Sequence, residues 1–187
     1  MSLPAALDPG PTMGRRLAVI VGAVVTGGGV AMIPAIVAAL WYREWSHAAA
    51  IGEAAVISAV VGLVAWRGFG RTGELTTRQG FAAVGVSWIA MICFGTLPYL
   101  LTGAIPGPTD AFFETAAGFT TTGATVIDPG DLSHGLLMWR ATTQWVGGMG
   151  IIVLSVAVLP LLGVGGVQLA RAEAPGPEPD RLTPRFR

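Results

Sequence analysis

The chain is 187 residues long, 52% hydrophobic and 12% charged, with eleven basic and eleven acidic residues. A water-soluble domain of this size carries about a quarter charged residues, so much of this surface is built to face something other than water. Zero net charge and a mean hydropathy of +0.65 give no basic surface for nucleic acid. The single cysteine, Cys93, excludes an internal disulfide and a cysteine-based metal cluster.

Four apolar stretches follow in chain order. The first, Leu17 to Trp41, is uncharged and comes directly after Arg15 and Arg16. It is too long for the apolar core of a signal peptide and reads as a retained signal-anchor helix. Within it, Thr26-Gly27-Gly28-Gly29 offers small residues for close helix packing, and Pro34 predicts a kink. The second stretch, Ala48 to Trp66, holds one charge, Glu53, near its outer end. The third is Gly80 to Leu101, and the fourth is Leu136 to Leu162, with Arg140 near its start. Each reaches the roughly 20 residues that a helix needs to cross a hydrocarbon core of about 30 Å. Inside lipid the backbone must satisfy its own hydrogen bonds, so each is expected to be a helix. Trp41, Trp45, Trp66 and Trp139, near helix ends, read as interface anchors.

Orientation follows from arginine, because the chain has no lysine. Nine of the eleven arginines fall on one side of a four-helix path: Arg15, Arg16, Arg67, Arg71, Arg78, Arg171, Arg181, Arg185 and Arg187. Arg43 and Arg140 fall on the other. The positive-inside rule then places both termini and the 67–79 loop in the cytoplasm, with residues 102–135 outside. The expected divisions are a cytoplasmic N-terminus (1–16), two leading transmembrane helices with their cytoplasmic loop (17–79), a helix–pore loop–helix repeat (80–162) and a cytoplasmic linker (163–187).

The outer segment is not built as a solvated turn. Pro106-Gly107-Pro108 stops the third helix, and Thr109-Asp110 offers N-cap chemistry for a short helix over about Asp110 to Gly118. That helix is too short to span a bilayer and too apolar for open water, which fits a re-entrant pore helix. Thr120, Thr121, Thr122, Gly123, Ala124 and Thr125 follow it directly. This is suitable composition for an extended strand whose carbonyls replace the water shell of a cation. Gly123 tolerates the backbone dihedrals such a strand requires. The negative end of the short helix's dipole would face the same place. Glu114 and Arg140 are expected to pair behind this loop as support, while Asp128-Pro-Gly-Asp131 reads as a turn with solvated acids. The fold class expected is thus an all-α integral membrane protein of four transmembrane helices plus one re-entrant pore helix and filter loop.

Phe112-Phe113-Glu114-Thr115-Ala-Ala-Gly-Phe-Thr-Thr-Thr-Gly-Ala-Thr-Val-Ile127 resembles the first pore loop of the Trk/Ktr/HKT superfamily of potassium transporters. Gln144-Trp-Val-Gly-Gly-Met-Gly-Ile-Ile-Val153 is similar to the second helix of the same repeat. Leu161 to Gly176, followed by Leu182-Thr-Pro-Arg185, is similar to the linker after it, in the TrkH branch.

The resemblance implies a potassium uptake subunit with two leading helices and four pore repeats around one ion path, of which this chain holds the leading helices and the first repeat. It assigns the filter to Thr120 through Thr125, with K⁺ at Thr121, Thr122 and Gly123, and Thr120 at the inner end. Ala124 stands where potassium channels have a tyrosine, which implies looser selectivity than a channel's. Gly147, Gly148 and Gly150 would let the last helix lie against the pore loop. The implied partners are the remaining pore repeats, a second full subunit in a dimer, a cytoplasmic nucleotide-binding regulatory subunit of the TrkA type, and the lipid of the inner (cytoplasmic) membrane. No cofactor and no enzymatic activity are implied; K⁺ is the transported ion.

The rival expectation is a truncated or split, non-conducting chain acting only as a membrane-embedded interaction module. Gly163-x-Gly165-Gly166 lacks the preceding strand of a dinucleotide site. That dinucleotide reading is discarded, and Ser133-His134 has no acid–base set around it in sequence, so little stands behind a hydrolase.

Overall fold

The computed structural model describes residues 12–68 and 76–158. The expected N-terminal segment up to residue 11, Arg71, and all of 159–187, with the expected cytoplasmic linker, lie outside the described residues. The chain divides into two compact units, residues 1–148 and 149–187. Of the second unit the described part is 149–158.

Regular structure among the described residues is helical throughout. Helices α1 (Met13–Ala31) and α2 (Ile33–Trp41) form the first long apolar rod. The interruption falls at Met32, two residues before Pro34. Proline has no N–H to give, and it is best tolerated where a helix begins, so a new helix starts around it. Met32 keeps near-helical dihedrals (φ −78°, ψ −12°), so the rod continues past the break.

Helix α3 (Trp45–Gly68) returns antiparallel and packs along α1 and α2. The contact is made by small residues. A Cβ on Gly62 would lie 2.5 Å from the Thr26 nitrogen and 2.6 Å from the Gly22 carbonyl oxygen. A Cβ on Gly29 would lie 2.8 Å from the Ala55 carbonyl oxygen. Backbones this close gain dispersion over the length of both helices, which is how apolar helices associate where lipid removes the hydrophobic drive. Of the expected glycine run, Gly28 and Gly29 face neighbours, while Gly27 has open space beside it.

Helix α4 (Thr77–Gly95) opens with a capping box, in which Thr76 and Gln79 exchange side-chain and backbone hydrogen bonds. After Thr96 the short α5 (Leu97–Leu101) carries the same rod onward, with Pro98 in its first turn. Three helical rods, Met13–Trp41, Trp45–Gly68 and Arg78–Leu101, are long and apolar enough to cross a membrane. With no strand among the described residues, this is an all-α membrane architecture.

The short helix α6 spans Pro108–Phe119, longer than expected at both ends. Its cap differs too. Gly107 stands at the N-cap with no side-chain hydrogen bond, so Thr109 and Asp110 lie inside the first turn. Pro108 fits that first turn with its fixed φ, and Asp110 faces the positive end of the helix dipole. A 3₁₀ turn (Pro129–Asp131), with Asp128 Oδ1 accepting from the Gly130 N–H at 2.9 Å, leads into α7 (His134–Val158). Helix α7 is not among the three span-forming rods. Arg140, Thr142, Thr143 and Gln144 dilute its first half, and the apolar run that ends at Leu162 leaves the described residues at Val158.

The core lies where α2, α3, α5, α6 and α7 converge, around Met32, Ile51, Tyr99, Phe119, Leu136 and Trp139. Trp41, Trp45 and Trp66 are exposed near the ends of apolar rods. Trp139 is not an interface anchor: it is 1% exposed, and its indole N–H donates to the Gly95 carbonyl at 3.0 Å. Gly95 has no side chain to block that approach.

The α1–α3 contact yields the first prediction. Gly62→Val should lower the unfolding midpoint in detergent, at a cost of about 1–3 kcal/mol for overpacking. Gly52→Val on the same helix, with no atom within 4 Å of its Cβ position, should not. Equal melts for the two variants would show that close approach at Gly62 is dispensable.

Candidate functional site

The C-terminus of α6 sets the site. Thr120 caps the helix, and the Thr121 N–H bonds back to the Gly118 carbonyl (2.9 Å) while the Thr122 N–H reaches the Ala117 carbonyl (3.0 Å). This pair of bonds is a Schellman closure. It requires a left-handed residue at its centre, and Thr121 supplies it with φ 57°. Glycine is the usual occupant, and a β-branched residue there is strained. A second left-handed residue follows at Gly123, φ 75°. Here the glycine answers a dihedral requirement alone, since no atom lies within 4 Å of its Cβ position.

The segment does not start as the extended strand expected from its composition: the Schellman closure leaves Thr120 helical (φ −81°, ψ 0°) and Thr121 and Gly123 left-handed, and Thr120, Thr121, Thr122 and Gly123 are all exposed. Its N–H groups at Thr120, Thr121, Thr122 and Gly123 all bond back to α6. Its carbonyls do not. Among the described residues no hydrogen bond reaches the carbonyl oxygens of Thr120, Thr121, Thr122 or Ala124. The Thr120 and Thr122 hydroxyls lie 2.8 Å apart, and Thr120 Oγ1 also donates to the Ala116 carbonyl.

Behind the strand is a fully enclosed carboxylate. Glu114 has no exposed side-chain area, and its Oε1 accepts from Arg140 Nε at 2.7 Å. Its Oε2 accepts from the Thr125 hydroxyl at 2.9 Å and the Val126 N–H at 3.0 Å. A buried charge is tolerated only with this kind of pairing and hydrogen bonding. Arg140 also donates from Nη2 to the Gly123 carbonyl at 3.2 Å. One acid and one base thereby tie α6, α7 and the far end of the strand together.

Glycines admit the backbones that meet there. A Cβ at Gly118 would overlap the Thr143 hydroxyl, and one at Gly147 would overlap the Phe119 carbonyl. Gly148 is looser, with Thr121 Cγ2 at 3.7 Å from its Cβ position. Phe119 sits edge-on between Trp88 (6.4 Å) and Trp139 (6.3 Å), which fixes the last residue before the strand. Thus Thr120 to Thr125, Glu114, Arg140, Gly147 and Gly148 come together; Gly150 belongs to the second unit.

Sequence reasoning missed Glu44. This residue, on the α2–α3 connection, accepts from the His134 and Gly135 N–H groups (3.0 and 3.1 Å) and meets His134 Nδ1 at 2.9 Å. It caps α7 from 90 residues away, and Tyr42 stacks on the His134 ring at 3.7 Å. No local spacing announces a cap supplied from another hairpin. Partial burial pushes the Glu44 carboxyl up, but the hydrogen bonds from His134 and Gly135 outweigh it and hold it below the ordinary carboxylate range.

A depressed value in the folded state means stability that is complete above the unfolded value of about 4.3 and is lost as pH falls through the folded one. The unfolding midpoint of the wild-type chain should therefore drop on acidification below about pH 4.3 more steeply than that of Glu44→Gln. Parallel pH profiles would remove this role from Glu44.

Residues 47–184 match the TrkH family, described as a cation transport protein. The Trk system potassium uptake protein TrkH of Escherichia coli K12 is 44% identical over 177 residues, covering 92% of this chain and 36% of that protein. The Halomonas elongata TrkH is 54% identical over 116 residues, covering 60% of this chain and 24% of that protein. The Trk system potassium uptake protein TrkG of E. coli K12 is 41% identical over 161 residues, 84% of this chain and 33% of that protein. The chain spans about a third of the length of these curated relatives.

Proposed function

Because the chain belongs to the TrkH family of cation transport proteins, we propose that it serves potassium uptake by contributing one strand of a carbonyl-lined selectivity filter. The observation that carries this reading is the strand at Thr120–Thr122. Its residues are exposed and, among the described residues, their carbonyls accept no hydrogen bond, while all its N–H groups are consumed by α6. Buried backbone carbonyls are almost always paired, so a run of free ones is met by water while it is exposed and, once other pore loops close around it, by a cation. A dehydrating ion takes its ligands from such rings. The Schellman closure supports the same reading, since it holds the strand at the negative end of α6.

In this reading Thr120 through Thr125 form a quarter of the filter, and three further pore loops complete the ring. Helix α7 belongs to the fourth crossing of the cytoplasmic membrane. A dimer of complete subunits and a cytoplasmic nucleotide-binding regulatory partner come with the family and are part of the proposal. The non-conducting interaction module is the weaker reading, because nothing in that role calls for four unpaired carbonyls on an exposed strand.

The test is a chimera in which this chain replaces the matching part of E. coli TrkH. It should restore growth of a potassium-uptake-deficient host at low K⁺. The chain expressed alone, with insertion verified, should not, because one strand leaves most of the ion's coordination sphere empty. A chimera that inserts and stays silent would overturn the transport reading.

The proposal includes cytoplasmic termini, motivated by the nine-to-two division of arginine. In a Cys93→Ala background, a cysteine at Ser133 should react with an impermeant thiol reagent added outside intact cells. One at Thr76 should be protected. The reverse pattern would invert the orientation and put the strand at the wrong face.

A further inference from the structure

The five carbonyls from Thr120 to Ala124 are not equivalent. Four accept no hydrogen bond among the described residues, while the Gly123 oxygen is held by Arg140 Nη2 at 3.2 Å. We infer that Arg140 is a positioning residue that withdraws the Gly123 carbonyl from the ion path, leaving the carbonyls of Thr120, Thr121 and Thr122 as this strand's ligands for a dehydrated monovalent cation. This rests on the filter reading above and changes its assignment: the ion positions expected at Thr121, Thr122 and Gly123 move one residue toward Thr120.

Three observations converge on it. First, the guanidinium cannot follow its carbonyl into the path. Its Nε is bonded at 2.7 Å to Glu114, which has no exposed side-chain area and accepts two further hydrogen bonds. Arg140 is therefore fixed on the α6–α7 side of the strand, and an oxygen bonded to it points there. Second, a guanidinium and a metal cation on one carbonyl oxygen would be like charges within a few ångströms, and they repel. Third, Gly123 has φ 75° with open space around its Cβ position. The glycine is not there to let anything approach. It allows the peptide plane after it to turn, which delivers the carbonyl to Arg140.

The fork geometry matters. Arginine presents several donors in one plane, so Nε can hold the carboxylate while Nη2 holds the carbonyl. A lysine in its place offers a point charge that still balances Glu114 but does not reproduce the fork. Arg140→Lys therefore separates charge balance from carbonyl aim.

The chain has three Gly–Ala peptide bonds, Gly22–Ala23, Gly103–Ala104 and Gly123–Ala124. Labelling glycine with ¹³C at the carbonyl and alanine with ¹⁵N gives one correlation for each, with Ala124→Ser identifying the third by its loss. In the 187-residue chain in bicelles, Arg140→Lys should move the Gly123 carbonyl resonance upfield and leave the other two in place. The paired variant Glu114→Gln/Arg140→Met, which removes both charges together and so avoids stranding one, should do the same. In the chimera with E. coli TrkH, Arg140→Lys should lower K⁺-over-Na⁺ discrimination by about tenfold, the scale of one charge-assisted hydrogen bond.

A Gly123 resonance that stays in place in both variants overturns the inference. So does an unchanged K⁺-over-Na⁺ ratio in the chimera once the resonance has moved, since the carbonyl's aim would then not matter to the ion. An unsubstituted chimera that takes up no K⁺ overturns the filter reading, and the ion assignment falls with it whatever the resonance does.

Discussion

The buried pair of Glu114 and Arg140 is the constraint on which the rest of this site depends. Glu114 is enclosed on every side, so its charge is viable only while three donors stay in place. One donor comes from α7 and two from the segment after α6. Stranding either partner costs about 3–5 kcal/mol, more than the intact pair contributes. The pair therefore acts less as glue than as a gauge. It penalises any slip of α6 along α7, and any drift of Thr125 and Val126 away from the helix that precedes them.

The gauge works because glycine lets the backbones come close enough to be measured. Gly118 and Gly147 bring α7 against the end of α6, and Gly95 receives the Trp139 indole N–H. Farther out, Gly22, Gly29 and Gly62 lock the leading hairpin, and Gly135 meets Ala39 and Ile51 across it. Glu44 then joins that hairpin to the first turn of α7. A continuous set of close contacts runs from the leading helices, through the start of α7, to the base that holds the strand. The leading hairpin is thus part of what positions Arg140.

Much of the architecture was legible because it rests on composition over long windows. Runs of about 20 apolar residues can only be helices in lipid, and the Pro-Gly-Pro break and the threonine run bracket a short helix that spans nothing. What was not legible depends on partners far apart in sequence. Trp139 sits near a helix end like any anchor, and only the fold reveals that Gly95 waits for its N–H. Glu44 and His134 are 90 residues apart. The break at Met32 instead of Pro34 is a local matter of where a proline is tolerated. The cap of α6 was misplaced because Thr109 and Asp110 have the right chemistry one turn too late, after Pro108 has already started the helix. The Glu114–Arg140 relation was suggested by charge alone. The second hand of the guanidinium, on Gly123, has no sequence signature at all.

That second bond explains how a strand with so few bonds of its own keeps a shape. Its N–H groups fold back onto α6, which fixes the chain as far as Gly123, while among the described residues nothing bonds the carbonyls of Thr120, Thr121 and Thr122. Thr121 carries the strain of a left-handed β-branched residue, a conformation costing roughly 1–2 kcal/mol, at the point where the helix closes. Such strain survives only where the surroundings over-determine it. On one side the determinant is the Schellman pair to Ala117 and Gly118; on the other it is Arg140 holding Gly123. Between these two fixtures the three threonine peptides are held by their ends. The aim of their carbonyls is therefore set in folding, from both ends of the segment.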